Sequence, residues 1–496
     1  MNKIVIVGAG IAGFTAGIYA QKSGFDVTIY EGGNVPGGNC TSWRRKGYLF
    51  EGGMHWLTGS GAEQPLCRVL HEVGALTGGT KVVNVDPFMI CDWHGQQVCL
   101  YRDVERLEAH LNAVSPEDRT QIRQLCRDIA RFSGFSMPVM DIPGLKVTEK
   151  SPSVIKAVFK MMPALSRVVA LCKLSAAEYA ALFKHPAIRL LLSSVIEPSF
   201  DSLSLLATLG CFAAGDGGYI EGGSLVLASN MAKRFKGLGG VVRYGKKVER
   251  VRISDGMVCG VVVEGEPVSA RAVIVASDTL QAVDSLFDPP LQEKWTLALR
   301  EKTKRSGALL MCTFIGIGVE ADLSGSPKGV MFPLKTPFEY AGRLITSLGY
   351  NQYSGHAAYA PPDCTAITII LAGDTYDYWK QAHEQGCYVA RKEELFAQVL
   401  PALEEQLPAI RGKLAVWDMA TPLTYERYCG TYHGSWMTIT LPRTKRVSYP
   451  CKSKYASRLY FAGQRIMPPG GIPVAVSTGR TAAQHLCRDF GTVFRS

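Results

Sequence analysis

The sequence lacks the motifs that mark metal-binding and disulfide-stabilised domains. It contains 14 cysteines, but no two of them form a Cys-x-x-Cys arrangement, so zinc-site and thioredoxin-like spacings are absent. Many of the cysteines lie in apolar runs, among them Cys172, Cys211 and Cys312. Buried thiols of this kind are typical of proteins that fold in a reducing compartment. We therefore expect a cytoplasmic protein with reduced cysteines and no metal site.

Long apolar runs and dense basic clusters are also absent. The longest apolar run, residues 203–215, is shorter than the 18 or more residues that a transmembrane helix needs. Lys3 leads directly into an apolar stretch, so we expect no secretory leader. The net charge is +11, yet no run of Lys and Arg alternates with aromatic residues. Nucleic acid is therefore not an expected partner, whereas an anionic cofactor or an anionic membrane surface fits the charge.

Length and glycine content point to a large ligand-binding protein. With 496 residues, the chain exceeds one ordinary domain. Its 51 glycines include many Gly-Gly pairs, and such pairs permit close approach of the backbone to a ligand.

The first 31 residues follow the order of a dinucleotide-binding unit. Residues 3–7 predict a buried parallel strand, a Gly-x-Gly-x-x-Gly motif follows at once, and a helix is predicted over 11–23. Gly8 permits the tight turn, Gly10 lets a pyrophosphate approach the backbone, and Gly13 lets the helix pack closely on the sheet. The helix N-terminus favours phosphate binding.

Glu31 completes this motif at the end of a second predicted strand, residues 26–31. Its carboxylate can accept hydrogen bonds from the adenosine ribose. No second Gly-x-Gly-x-x-Gly motif follows, so we expect one bound dinucleotide and no separate NAD(P) domain. Further Gly-rich turns at Gly37-Gly38 and Gly52-Gly53 favour a flavin, which must be covered along its length.

The rest of the chain predicts two kinds of segment. Residues 85–215 show mainly helical periodicity, with helices over 103–114 and 117–132. An α/β pattern returns near Gly217 with a helix to about Lys236 and strands over 241–244, 247–253, 257–263 and 272–276. Residues 290–425 are mixed, with strand-like runs at 308–316 and 366–371. The chain ends with a strand, a Gly-rich turn and a helix over 475–487.

Residues 153–173 form a basic amphipathic segment. It contains four basic residues and no acidic one, and its apolar residues recur at helical spacing. Such a segment can lie in a membrane interface. It can equally pack its apolar face on the protein's own core, and the sequence leaves both interpretations open.

Together these motifs resemble the superfamily of phytoene desaturases, carotene isomerases and retinol saturases, which are FAD-dependent enzymes. The resemblance runs nearly from end to end. It rests on the following stretches: Gly8–Gly13 with Glu31, Gly37-Gly38, Glu221–Ser224 with Gly239-Gly240, 272–277, 421–428, and 462–463 through 479–480.

The resemblance implies an α/β fold with two domains. A Rossmann-like FAD-binding domain would be assembled from residues 1–84, 216–289 and 426–496. A mixed α+β substrate domain would be formed by two insertions, residues 85–215 and 290–425.

The resemblance also implies a set of FAD-binding residues. They are Gly8, Gly10, Ile11, Ala12, Gly13, Glu31, Gly32, Gly37, Gly38, Asn39, Arg44, Gly53, Met54, His55, Val248, Ser277, Gly463, Gln464, Gly471, Ile472 and Pro473. Two positions depart from the family pattern. Asn39 stands where a basic residue is frequent, and Arg44 or Arg45 would supply that charge. Gln464 stands where Asp is frequent, and it can still bond a ribityl hydroxyl.

The expected function is redox chemistry at C–C or C=C bonds of a hydrophobic isoprenoid, polyene or other lipid, with hydride transfer at the flavin. Desaturation, saturation and isomerisation all remain open, and so does the electron donor or acceptor. His55, in a Gly-x-His-aromatic run similar to that of retinol saturases, is a candidate proton donor because its ordinary pKa near ~6.5 suits that role. Tyr425 is a second candidate. The alternatives are a flavin amine oxidase-like enzyme and a non-catalytic prenyl-lipid escort protein.

Overall fold

The computed structural model describes residues 2–149, 162, 165–305 and 307–496. Its first layer is a five-stranded parallel sheet, here called the nucleotide sheet. In spatial order its strands are Leu459–Phe461, Ala272–Val275, Lys3–Val7, Asp26–Tyr30 and Val241–Arg243. These strands come from three distant parts of the chain, as a Rossmann-like domain assembled from three segments requires.

The central strand alternates its side chains between two layers. Ile4 and Ile6 pack with the helices on one face, whereas Val5 and Val7 pack with a small antiparallel sheet on the other. Because both faces are covered, this strand reads as a continuous apolar run. The helices are Ile11–Lys22, Pro65–Glu72, Leu225–Gly237 and Gly471–Asp489. The small sheet comprises Val248–Ser254, Met257–Val263 and Glu266–Ser269.

A seven-stranded sheet, here called the large sheet, forms the second layer. In spatial order its strands are Leu414–Ala420, Cys312–Val319, Thr365–Ala372, Arg343–Gln352, Gly329–Tyr340, Met89–Trp93 and Gln96–Leu100. Both predicted insertions contribute to it. Their boundaries at residues 85, 216, 290 and 426 stay predictions.

Helices accompany the large sheet. Five of them form one apolar cluster and lie at Val104–Val114, Arg119–Phe132, Ala176–Ala180, Pro186–Val195 and Ser202–Ala213. The large sheet also contacts helices Tyr376–Glu384, Tyr388–Gln406 and Pro422–Cys429. Helices Thr279–Ser285 and Lys294–Thr303 pack instead on the nucleotide sheet, on the face that carries the small sheet. Short strand pairs join Ser42–Arg45 to Tyr48–Glu51, Val82–Val83 to Tyr219–Ile220, and Leu309–Leu310 to Met437–Thr438.

Two features of the insertions were not predicted. The described part of residues 85–215 is mainly helical, as expected, but it begins with the hairpin Met89–Trp93 and Gln96–Leu100. The long strands Gly329–Tyr340 and Arg343–Gln352 escaped prediction. Pro333 interrupts the apolar alternation of the first, and the pairing register shifts between Pro333 and Phe338.

Most of the basic amphipathic segment 153–173 lies outside the described residues. Its described part includes Met162, Leu165 and Val169, whose side chains are 54%, 51% and 66% exposed. These apolar residues therefore do not pack on the protein's core. Among the described helices, none is long and apolar enough to cross a membrane.

Candidate active site

A cavity of about 2290 Å³ extends from the nucleotide sheet to the large sheet and is lined by residues of both. Its wall includes the glycine turn after strand Lys3–Val7 and the N-terminus of helix Gly471–Asp489, and it continues along strand Arg343–Gln352 and helix Pro186–Val195. The cavity therefore connects a dinucleotide-binding motif with the interior of the second layer.

The three motif glycines have three different structural reasons. Gly8 has a φ of +102°, a value that side chains disfavour. A Cβ on Gly13 would lie 2.0 Å from the Gly8 carbonyl oxygen, so the helix can approach the strand only with glycine there. A Cβ on Gly10 would meet only the Gly37 carbonyl oxygen, at 3.8 Å, and its φ is −76°. No contact within the described chain requires glycine at position 10. A pyrophosphate bound in the open space in front of Gly10 would require it, because a side chain would occupy that space.

Glu31 is held at the end of the second strand by backbone donors. Its carboxylate accepts hydrogen bonds from Ala9 N at 2.6 Å and from Gly33 N at 2.8 Å. Burial raises the pKa of this carboxyl group, and the backbone donors oppose that effect. A carboxylate fixed in this way, on the cavity wall, has lone pairs left to accept from ribose hydroxyls.

Glu51 anchors the turn that carries Gly53, Met54 and His55. It is only 3% exposed, and its carboxylate accepts from Gly53 N at 2.8 Å and Met54 N at 3.0 Å. Ser224 donates to the same carboxylate from N at 2.6 Å and Oγ at 2.7 Å. The motif Glu221–Ser224 thus binds the turn from a distant part of the chain. We did not predict this role, although Glu51 directly precedes Gly52-Gly53 in the sequence.

Asn39 and Gln464 form an uncharged polar site on the cavity wall. Both side-chain amides donate to the Trp436 carbonyl oxygen, and Gln464 Oε1 accepts from Gly471 N at 3.2 Å. Asn39 Oδ1 and Trp436 Nε1 are buried without a hydrogen-bond partner among the described residues. Buried polar groups are normally satisfied, so these atoms fit a polar ligand such as the edge of a flavin ring.

Arg465 holds the backbone beside this polar site. Its guanidinium pairs with Asp278 at 2.8 Å, and both side chains are almost completely buried. Arg465 also donates to Ser435 O and Oγ, at 3.2 and 2.7 Å. The sequence offers no spacing that would predict this pair, because its members are 187 residues apart.

Arg44 does not reach the cavity, contrary to its predicted place in the FAD site. Of strand Ser42–Arg45, the cavity wall includes Ser42, Trp43 and Arg45 but not Arg44. Arg44 instead donates to the carbonyl oxygens of Gly47 and Ala358, at 3.1 and 2.8 Å. Arg45 pairs with Asp418 at 2.8 Å.

His55 lies on the cavity wall in an aromatic cluster. Its ring stacks with Phe314 and Trp436, with centroid distances of 5.6 and 5.7 Å. Both imidazole nitrogens are buried and without a hydrogen-bond partner among the described residues. Burial lowers its pKa to about 4, so the imidazole is neutral at physiological pH. His55 therefore does not have the ordinary pKa near ~6.5 on which its predicted role as proton donor depends.

Tyr425 is committed to the turn that precedes His55. Its hydroxyl donates to the Gly52 carbonyl oxygen at 2.7 Å. Burial raises the pKa of Tyr425. This geometry gives Tyr425 a positioning role on the cavity wall, and its predicted catalytic role stays a prediction.

The structure brings the other predicted site residues to one cavity. Those on its wall are Gly8, Gly10, Ile11, Ala12, Glu31, Gly32, Gly37, Gly38, Asn39, Gly53, Met54, His55, Val248, Ser277, Gly463, Gln464, Gly471, Ile472, Pro473 and Tyr425. Gly13 lies behind the wall, between helix and strand. Their contacts with a cofactor stay predictions, one residue at a time.

Comparison with known proteins agrees with this geometry. The family model described as flavin containing amine oxidoreductase matches residues 11–487. A lycopene-forming phytoene desaturase of Paracoccus sp. is 23% identical, covering 98% of each chain. An all-trans-zeta-carotene desaturase of Myxococcus xanthus is 24% identical over 99% of this chain and 94% of its own. Cyclohexylamine oxidase from Brevibacterium oxydans shares the fold, with a TM-score of 0.62, 14% identity and 99% of each chain covered.

The chain belongs to the family of flavin containing amine oxidoreductases. Its cofactor is FAD, and it is an FAD-dependent oxidoreductase with a Rossmann-like cofactor domain and a second domain for the substrate. The open space at Gly10 and the unpaired polar atoms of Asn39 and Trp436 fit that cofactor.

We expect Gly10→Val and Glu31→Arg to abolish the yellow colour of the purified protein. Valine would occupy the open space at Gly10, and arginine would replace the ribose acceptor with a cation. The measurement is the flavin absorbance per protein. Because the described chain leaves room at position 10, Gly10→Val should still fold, as circular dichroism would show. Gly78→Val, in a loop with nothing within 4 Å of the added Cβ, is the matched control. Normal flavin content in both site variants would contradict the assignment.

Proposed function

We propose that the protein oxidises, reduces or isomerises C–C and C=C bonds of a hydrophobic isoprenoid or polyene. The proposal rests on the part of the cavity that extends beyond the predicted FAD-binding residues and is rich in apolar side chains. Many residues of its wall there are aliphatic or aromatic, with polar residues such as Ser193 and Thr346 between them. The apolar ones include Phe88, Leu190, Val195, Leu203, Leu310, Ile345 and Leu348. A long apolar molecule gains free energy by burying its surface against such a wall.

The named relatives support the same substrate class. A phytoene desaturase and a zeta-carotene desaturase match nearly the whole chain, and both names denote enzymes of polyene hydrocarbons. Their identities of 23% and 24% leave the particular substrate open. The direction of electron flow is likewise a matter for experiment.

Bound FAD would supply the acceptor or donor of hydride for this reaction. The chain's own residues supply position and environment. The N-terminus of helix Gly471–Asp489 lies on the cavity wall, and its free N–H groups stabilise negative charge nearby. The apolar wall excludes water, and the nitrogens of His55 remain available for a hydrogen bond to a bound ligand.

The decisive experiment is anaerobic mixing of the purified holoenzyme with phytoene or zeta-carotene in detergent micelles. Loss of flavin absorbance together with a product two hydrogens lighter identifies a desaturase. A product two hydrogens heavier, formed by the pre-reduced enzyme, identifies a saturase, and an equal mass with a shifted retention time identifies an isomerase. If no polyene is changed under either condition, the proposal is overturned.

Oxidation of a small amine is the second candidate, because aromatic rings line the cavity near the predicted flavin site. In this chain Phe314 and Trp436 pack on each other, with centroids 4.4 Å apart, and His55 stacks with both. Such mutual packing favours a closed wall over an open aromatic cage. Flavin bleaching by cyclohexylamine or putrescine, with none by polyenes, would establish the amine reaction instead.

We expect His55 to act as a neutral hydrogen-bonding group. His55→Phe keeps a stacking ring but removes both nitrogens, so anaerobic flavin reduction should slow by about 10-fold, the worth of one hydrogen bond. His55→Gln keeps a donor and an acceptor and should stay within about 3-fold of wild type. His71→Gln, at an exposed position, is the control. A loss of ~10²-fold in His55→Gln would instead favour proton transfer by the imidazole.

Peripheral contact with a membrane is part of the proposal, since a polyene substrate resides in lipid. The exposed apolar residues Met162, Leu165 and Val169 share one face at helical spacing. The segment's basic residues would add attraction of about 1 kcal/mol each near an anionic surface.

We expect Leu165→Glu/Val169→Glu to weaken binding to vesicles of phosphatidylglycerol and phosphatidylcholine. The double variant places two negative charges on the apolar face and should reduce co-sedimentation several-fold, and high salt should reduce that of the wild type. Val389→Glu, at a position 64% exposed elsewhere, is the control. Equal binding by all three proteins would show that this face does not meet the membrane.

A further inference from the structure

A chain of hydrogen bonds leads from the cavity wall to the protein surface. Tyr219 lines the cavity, and its hydroxyl lies 2.7 Å from His356 Nε2. His356 Nδ1 lies 2.8 Å from Glu221 Oε1, and Glu221 Oε2 lies 3.4 Å from Lys81 Nζ. The side chains become more exposed along this path, from 13% for His356 to 28% for Glu221 and 63% for Lys81.

The direction of each hydrogen bond follows from its partners when His356 is neutral. His356 and Lys81 hold the pKa of Glu221 below its usual range, so its carboxylate is ionised and can only accept. A neutral His356 therefore carries its proton on Nδ1 and leaves Nε2 as an acceptor for the Tyr219 hydroxyl. Burial raises the pKa of Tyr219 to about 12, so the phenol keeps its proton at rest. Its oxygen still has lone pairs that can take a proton as the phenol passes its own to His356.

The proposed reaction requires a path along which a proton can leave the cavity. In a desaturation, bound FAD would accept one hydrogen together with its bonding electrons as hydride. The neighbouring C–H bond would release a proton in the same step, and its electron pair would become the new C=C bond. That proton must leave a water-poor cavity. The ring nitrogens of His55 have no hydrogen-bond partner among the described residues that could carry the proton outward. The hydroxyl of Tyr425 donates its hydrogen bond to the Gly52 carbonyl oxygen, which cannot pass a proton on.

We propose that Tyr219, His356 and Glu221 form a proton relay between the substrate cavity and solvent. The proton enters at the Tyr219 oxygen, and the phenol proton passes to His356 Nε2. Glu221 stabilises the resulting imidazolium until the Nδ1 proton passes to this carboxylate and on to water, after which proton exchange with water restores the Nδ1–H tautomer. For saturation the relay runs in the opposite direction. This inference rests on the proposed function, because a hydride transfer alone requires no relay.

The structure offers a matched control on the same wall. Tyr353 also lines the cavity and packs edge-on against Tyr219, with ring centroids 5.5 Å apart. It makes none of the three relay hydrogen bonds, and its ring stacks on Tyr359 with centroids 4.2 Å apart. Tyr353→Phe therefore removes a phenol from the same wall and leaves the relay intact.

The test compares anaerobic flavin reduction by polyene in H₂O and D₂O for wild type, Tyr219→Phe, His356→Gln and Tyr353→Phe. We expect ~10²-fold slower reduction in the two relay variants with unchanged FAD content, and loss of the solvent isotope effect that wild type shows. Tyr353→Phe should keep that isotope effect. If Tyr219→Phe fails to fold, His356→Gln carries the test, because it lies outside the cavity wall. Wild-type rates and isotope effects in both relay variants overturn the relay.

A second measurement does not depend on turnover. Nitrogen-15 NMR of histidine-labelled protein should show His356 as the Nδ1–H tautomer, with an Nε2 shift that changes in Tyr219→Phe and not in Tyr353→Phe. The Nε2–H tautomer would overturn the proposed direction of proton flow. Should wild type itself show no polyene-dependent bleaching, the proposed function fails, whereas bleaching with unaffected variants shows that only the relay fails.

Discussion

The buried carboxylate of Glu51 is the interaction on which the cavity wall depends. Four hydrogen bonds converge on it from Gly53, Met54 and the backbone and hydroxyl of Ser224. Removing one partner of such a set leaves a buried carboxyl oxygen without its hydrogen bond, which costs about 1–3 kcal/mol. Glu51 therefore does more than stabilise a turn. It fixes a strand end from the N-terminal part of the chain to a helix that begins about 170 residues later.

The same turn is held from a second side by the hydroxyl of Tyr425, which donates to the Gly52 carbonyl. Gly52 and Gly53 have no room for side chains, since a Cβ on either would lie 2.2 to 2.4 Å from neighbouring atoms. This crowding places His55 against Phe314 and Trp436, with both of its ring nitrogens buried. The lowered pKa of His55 is thus a consequence of how tightly the turn is packed.

Local features of the site could be predicted from the sequence because each has a local cause. The turn at Gly8, the helix contact at Gly13 and the carboxylate at Glu31 all lie within one strand–helix–strand unit. The side on which Arg44 lies, the pair of Arg465 with Asp278 and the chain from Tyr219 to Glu221 depend on tertiary contacts. Tyr219 and His356 are 137 residues apart, and no spacing in the sequence relates them. The strand Gly329–Tyr340 escaped prediction for another reason, since its prolines hide the alternation.

The electrostatics of the wall follow from the kind of ligand that it would hold. The chain carries a net charge of +11, yet three arginines on the cavity wall each pair with a carboxylate. These pairs are Arg45 with Asp418, Arg446 with Asp201 and Arg465 with Asp278, at 2.6 to 2.8 Å. An unpaired cation would lose its hydration whenever an apolar molecule filled the cavity, at a large cost in free energy. Pairing confines that cost to folding for these three arginines, and Arg102 and Arg343 on the same wall donate instead to backbone carbonyl oxygens.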